Sequence, residues 1–267
     1  MHSADGRGHI PAVLLLHGQP GSAADWDGVV RALGELVTPI AIDRPGWDGV
    51  HSPRDLAGNV QAALSALDAR GTERALVVGH SLGAAVAAWL AATHPSRVTA
   101  LVLAAPAANR AALYPVDRWL AAPIAGEIAG SATLAGAGVA LSLPWLRRHL
   151  SARTGIDESY LRGIRRVSLT PRAWRAYVSE QRTLVRDLPK LERHLPAITA
   201  PTTVVAGAAD RVVPARASRL LSEQIRGARL LVSQHSGHLL PQRHPQLLAD
   251  AILEMRDGPA PVKVGAG

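Results

Sequence analysis

Ser81, Asp210 and His238 are the residues of this 267-residue chain whose types and order suit covalent acyl chemistry. A serine hydroxyl attacks a carbonyl only when a base takes its proton, and that base needs an acid to orient it. Ser81 lies in Gly79-His80-Ser81-Leu82-Gly83, a G-x-S-x-G run directly after the apolar stretch Arg74-Ala75-Leu76-Val77-Val78. This pattern places a serine on a sharp strand-to-helix turn at positive φ, and the two glycines leave room for it. The following Ala84–Trp89 stretch is a good helix former, and the helix N-terminus favours negative charge developing beside Ser81. Asp210 follows the apolar run Thr202–Ala206, and His238 follows Arg229–Ser233. Each therefore sits where a strand gives way to a loop, which is where ligand chemistry gathers in an open α/β sheet. His235 competes for the role of base but lies closer to its strand, so His238 is preferred. Attack on a carbonyl also develops an oxyanion that needs donors. The loop His17-Gly18-Gln19-Pro20-Gly21-Ser22 follows a first apolar run, Ala12–Leu16, and the backbone N–H groups of Gln19 and Leu82 are expected to converge on that oxygen.

The elements that must position these residues alternate along the chain. Strands are expected at Ala12–Leu16, Pro39–Asp43, Ala75–Gly79, Val98–Ala104, Thr202–Ala206 and Arg229–Ser233, with helices near Ala23–Gly34, Asp55–Arg70, Leu82–Thr93, Pro214–Gln224 and Pro245–Met255. In the helix at Asp55, Leu56, Val60, Leu64 and Leu67 share one stripe and Gly71 supplies a stop. Such alternation predicts a mostly parallel sheet of about six strands with helices on both faces. The alternation breaks between about Pro106 and Pro196, a segment with helical patterning and no convincing strand, divided by Pro115, Pro123, Pro144 and Pro171. The expected organisation is a core of residues 1–105 and 197–256, a helical cap at 106–196, and a flexible tail at 257–267. The Asp43-Arg44-Pro45-Gly46-Trp47 stretch reads as a structural turn, with Trp47, Trp119 and Leu239 as candidate linings of a substrate pocket.

Composition narrows the classes. Hydrophobic residues make up 48% of the chain and there is no cysteine, which describes a globular protein without disulfides or thiolate chemistry. No metal-ligand spacing is visible, so neither metal nor cofactor is expected. The first nine residues lack the apolar core of a signal peptide, so cytoplasmic residence is expected. The net charge of +8 is concentrated in residues 106–196, where thirteen Arg and one Lys face seven acids. Between Trp119 and Leu146, in contrast, Glu127 is the sole charge. That stretch is long enough to span a bilayer but is broken by prolines and glycines, so it reads as buried cap or pocket lining. The eight Arg between Arg147 and Arg175 are expected to meet an anionic group such as coenzyme A, a carrier protein or a lipid surface. Nucleic acid is not expected, because no binding motif or aromatic interleaving accompanies the charge.

With these pieces in place the chain resembles the α/β-hydrolase fold family, in the serine branch with a helical cap. The resemblance covers about residues 10–256 and rests on His17-Gly18-Gln19-Pro20-Gly21, Asp43-Arg44-Pro45-Gly46, the G-x-S-x-G run, Asp210 before Pro214, and Gly237-His238. It implies Ser81 as nucleophile, His238 as base, Asp210 as orienting acid, and Gln19 and Leu82 as oxyanion donors. Relatives typically carry a longer segment before the His-Gly motif, forming a hairpin at one sheet edge. Here that hairpin is expected to be absent or reduced, leaving an edge that favours a homodimer. The implied function is hydrolysis of a carboxylic ester, thioester or lactone with an apolar acyl part. The alternatives are an acyltransferase or lyase using the same triad. Carbon–carbon bond hydrolases, peptidases and non-catalytic receptors rank lower, since their usual flanking residues are missing or an intact triad gives them no support.

Overall fold

The computed structural model describes residues 10–257. Of the tail expected at 257–267, Asp257 instead closes the last helix, and residues from 258 onward lie outside the described residues, as do the first nine. Six strands form one sheet: β1 (Ala12–Leu16), β2 (Thr38–Ile42), β3 (Ala75–His80), β4 (Val98–Ala104), β5 (Thr202–Gly207) and β6 (Arg229–Ser233). Their order is β2-β1-β3-β4-β5-β6 and every neighbouring pair is parallel. The chain starts at β1, steps out to the edge at β2, then crosses back to β3 and continues to the far edge. The direction of winding reverses between β1 and β3, so the loops leaving their carboxyl ends diverge and open a crevice. This reversal brings the loop after β1 beside Ser81. The hairpin expected to be absent or reduced would precede β1, where residues 1–9 lie outside the described residues. The open edge at β2 carries Pro39, which has no N–H to offer another chain.

Between the strands lie α1 (Asp27–Leu33), α2 (Leu56–Asp68) and α3 (Leu82–Thr93). After β4 come α4 (Pro115–Leu120), α5 (Ala125–Ala140), α6 (Pro144–Thr154), α7 (Glu158–Ser168) and α8 (Pro171–His194). The chain closes with α9 (Ala215–Gln224), α10 (Leu240–Arg243) and α11 (Pro245–Asp257). Strand side chains alternate between faces, and the core divides accordingly. Leu14 and Leu16 join α2, α3 and α9 in one cluster. Val13 and Leu15 join Trp26, Val29, Leu248 and Ile252 in a second cluster on the opposite face. Helix α2 begins where Asp55 accepts a hydrogen bond from the Gly58 amide at 2.8 Å, and Gly71 at φ 62° turns the chain out of it.

The prolines divide the region between β4 and β5 as their chemistry requires, since α4, α6 and α8 each open with a proline at the first helical position. Helix α8 serves two layers. Its end packs Leu184, Leu188 and Leu191 into the sheet's cluster, while its start packs against α5 and α4. Among the described residues no single helix is long and apolar enough to cross a membrane; α5 and α6 pass that test only as a pair bent by 93°.

Candidate functional site

Ser81 follows the last residue of β3 and precedes the first of α3, with φ 54° and ψ −118°. The strain is held by its surroundings. The Ser81 amide donates to the Ala104 carbonyl at 3.0 Å, and its carbonyl accepts from Ala84 and Ala107 at 3.0 and 3.1 Å. Gly79 and Gly83 are required by close approach. A Cβ on Gly83 would stand 2.2 Å from the Leu16 carbonyl oxygen, and one on Gly79 would stand 2.3 Å from the Gly83 oxygen. The start of α3 thus lies directly against β1 and β3, with its first amides free of helical partners.

Asp210 and His238 arrive from the ends of β5 and β6. The two loops are stitched together by backbone bonds from Ala208 to Ser233 and from Ala209 to Ser236, both at 2.9 Å. The buried Asp210 carboxylate accepts from the amides of Val212 and Val213 at 2.8 Å through Oδ1. Its Oδ2 lies 2.8 Å from His238 Nδ1, and His238 Nε2 lies 3.0 Å from Ser81 Oγ. An imidazole that donates from Nδ1 to a carboxylate presents Nε2 as an acceptor for the serine proton. The structure therefore brings Ser81, His238 and Asp210 into one hydrogen-bonded chain. His235 is exposed and takes no part in it.

The loop after β1 lies against this chain. A Cβ on Gly18 would meet His80 Nδ1 at 2.9 Å and Ser81 Cβ at 3.1 Å. Buried His17 donates from Nδ1 to the Gly18 carbonyl at 2.8 Å and accepts at Nε2 from the Arg44 amide at 3.0 Å. Burial, and next the Arg44 charge, hold its pKa well below the usual histidine range, so it is neutral. His80 donates from Nε2 to the His238 carbonyl at 2.9 Å, and burial lowers its pKa to about 3. It thus braces the loop that carries His238 without charging beside it.

Arg44 is the residue whose part in the site the sequence reading missed. Its guanidinium donates to the carbonyls of His17 at 2.9 Å and Gly18 at 2.8 Å, and it forms an ion pair with Glu180 of α8. Both side chains are 1% exposed. The other Glu180 oxygen accepts from the Trp47 indole at 2.9 Å. One turn earlier on α8, the Tyr177 carbonyl accepts from the Gln19 side chain at 3.0 Å. Helix α8 is therefore fastened to the loop after β1 at two places, and Trp47 is part of that fastening. Trp119 is 54% exposed on α4, and Leu239 is exposed directly after His238.

A cavity of about 390 Å³ lies between the loop after β1, α7 and α10, with Pro20, Tyr160, Ile164 and Gln242 in its wall. Ser81 does not line it; the cavity flanks the site beyond Pro20. Asp25 contributes a carboxyl that burial raises to about 7, and the Tyr160 hydroxyl is pushed up by burial and by Asp25. Among the described residues no group of three His, Asp or Glu side chains comes together as a metal site would need.

The sequence model of the alpha/beta hydrolase family matches residues 13–251. The chain is 27% identical over 250 residues to the pimeloyl-(acyl-carrier protein) methyl ester esterase of Neisseria meningitidis, covering 93% of this chain and 78% of that protein. It is 24% identical to a monoacylglycerol lipase of Homo sapiens, over 92% of this chain and 75% of the other. The solved structure of a hydrolase from Pseudomonas aeruginosa superposes with a TM-score of 0.73 at 30% identity, covering 95% of this chain and 92% of that one. An enol-lactonase from Burkholderia xenovorans shares the fold with a TM-score of 0.71 at 18% identity, over 95% and 94% of the two chains.

Proposed function

Since the chain belongs to the alpha/beta hydrolase family and is an enzyme of that fold, we propose that it cleaves a carboxylic ester, thioester or lactone through an acyl group carried on Ser81. The single observation that carries this reading is the chain Ser81–His238–Asp210, with contacts of 3.0 and 2.8 Å. Ser81 Oγ attacks the carbonyl carbon as His238 Nε2 takes its proton. The oxygen that becomes negative faces the amides of Gln19 and Leu82 at the start of α3, where the helix dipole adds to the stabilisation. His238 gives that proton to the alcohol or thiol as its bond to the carbonyl carbon breaks, and the acyl group stays as an ester on Ser81. Water, deprotonated by the same nitrogen, then attacks the acyl carbon and releases the carboxylic acid. The names of the relatives support this reading, because a methyl ester esterase and a monoacylglycerol lipase both act on carboxylic esters. Residues 106–196 act as the cap that sets substrate choice, and the apolar composition of their first half favours an apolar acyl part.

The test is Ser81→Ala together with mass spectrometry of the wild type exposed to a panel of esters and thioesters. The variant should lose hydrolysis of short nitrophenyl esters by about a thousandfold or more, and the acyl mass should appear on Ser81 in the wild type alone. A variant as fast as wild type refutes the assignment. Adding alcohols or thiols to the assay separates hydrolysis from acyl transfer by the product formed.

A further inference from the structure

Helix α5 is apolar on both sides. Its inner stripe of Gly126, Gly130, Leu134 and Gly138 is buried. The fit is tight, since a Cβ on Gly130 would meet Val178 of α8 at 2.7 Å and one on Gly138 would meet Leu169 at 2.8 Å. Its outer stripe, Ala125, Ile128, Ala132, Gly136 and Val139, repeats at helical spacing and is exposed. Ile128 is 67% and Val139 62% exposed. A surface helix in water turns a polar face outward, whereas the exposed polar side chains of α5 are Glu127 and Thr133 alone, both off this stripe. The helix's one charge, Glu127, is paired with Arg182 at 3.0 Å.

The stripe ends in the same way on both sides. Before it stand Trp119 and Ile124, with Arg118 beside the tryptophan; after it stands Trp145, with Arg148 one turn on along α6. Arg118, Arg148 and Arg153 are exposed, and nearby carboxylates are already engaged. Glu158 pairs with Arg147 and Arg162, and Asp117 accepts from the Tyr114 amide. We propose that the outer face of α4, α5 and α6 docks onto a bilayer surface that contains anionic lipid. The uncharged stripe would enter the acyl boundary, the two tryptophans would sit at headgroup level, and the exposed arginines would meet lipid phosphates. The 93° bend between α5 and α6 fits a segment that lies in the surface and does not span it. Charge argues against the other occupants. A second copy seated symmetrically on the same patch would bring arginine towards arginine. An acidic carrier protein would pair the arginines and leave the uncharged stripe between them in water.

The experiment is co-sedimentation of the full chain with vesicles of phosphatidylglycerol and phosphatidylcholine in equal parts, against vesicles of phosphatidylcholine alone. Binding is expected to the first set at low salt, with a blue shift of tryptophan emission and loss of binding at high salt. The double variant Ile128→Glu, Val139→Glu should bind at least about tenfold more weakly, as should Arg118→Glu, Arg148→Glu. The thermal melts of all variants report that the fold is intact, so the result stands whether or not Ser81 is the nucleophile. The proposal is overturned if the wild type does not sediment with the anionic vesicles, or if the Ile128→Glu, Val139→Glu variant binds them as the wild type does. A wild-type dimer that this variant dissolves would assign the face to a second copy, which also overturns it.

Discussion

Asp25 lies in the first turn after the Gln19 loop, where its carboxyl accepts from the Ser22 amide at 3.3 Å and shares a cavity wall with Tyr160 of α7. Burial disfavours its charged form, so a group that ionises near 3.8 in the unfolded chain ionises near 7 in the folded one. A carboxyl raised in this way costs no stability below pH 4, where both states are protonated. The cost grows as pH rises to 7 and is constant above, at on the order of 4 kcal/mol. Asn in its place keeps the acceptor and cannot ionise. Asp25→Asn is therefore expected to be more stable than wild type at pH 8, with the advantage shrinking towards pH 4, as read from urea midpoints across that range. An advantage independent of pH would mean that the carboxyl is not held protonated by burial. Asp25 illustrates what residue-level reading reaches. Ser81, Asp210 and His238 are legible because each ends a strand in a recognisable local pattern. Asp25 and Tyr160, 135 positions apart, carry no local pattern that joins them.

At the scale of elements, α8 and the loop after β1 behave as one part. Arg44 holds two successive carbonyls of that loop, and its charge is balanced by a buried carboxylate reaching across from α8. Removing one member of such a pair leaves the other buried and uncompensated, which costs about 3–5 kcal/mol. Glu180→Gln is expected to lower the melting temperature. It is also expected to lower kcat by about tenfold or more with little change in KM, because in the proposed mechanism the amide of Gln19, which this change displaces, stabilises the transition state more than the bound substrate. Glu180→Asp should recover part of kcat. If kcat of Glu180→Gln, measured well below its melting temperature, equals that of wild type, then α8 does not hold the loop in its working position. The elements themselves were largely legible. All six strands coincide with the apolar runs within a residue at each end, and β1, β4 and β6 match at both ends. The link between Arg44 and Glu180 was not, since 136 residues separate them and each reads locally as an ordinary charge on a turn or a helix face.

At the scale of the whole molecule, buried groups of opposite sign share the acid response. His17 and His80 are neutral in the fold and ionise near 6.5 when unfolded, so the stability they contribute is complete above pH 6.5 and is lost as pH falls, for His80 down to about 3. Asp25 recovers stability over much of the same range. The urea midpoint of the wild type should therefore fall from pH 7 to 5 less steeply than that of Asp25→Asn, because one carboxyl offsets only about half of what two histidines lose. Identical profiles for the two proteins would show that these sites do not offset one another. The parallel sheet, the helices on its faces, and the three strand ends that lead to Ser81, Asp210 and His238 are legible in the order of residues, because periodicity and turn chemistry act over a few residues. It took the folded chain to join Arg44 and Glu180 between α8 and the loop after β1, to make Trp47 part of that joint, and to leave the nearly uncharged stretch after Trp119 half exposed. Those outcomes depend on how helices packed from distant parts of the chain exclude water from one another, and no local pattern records that.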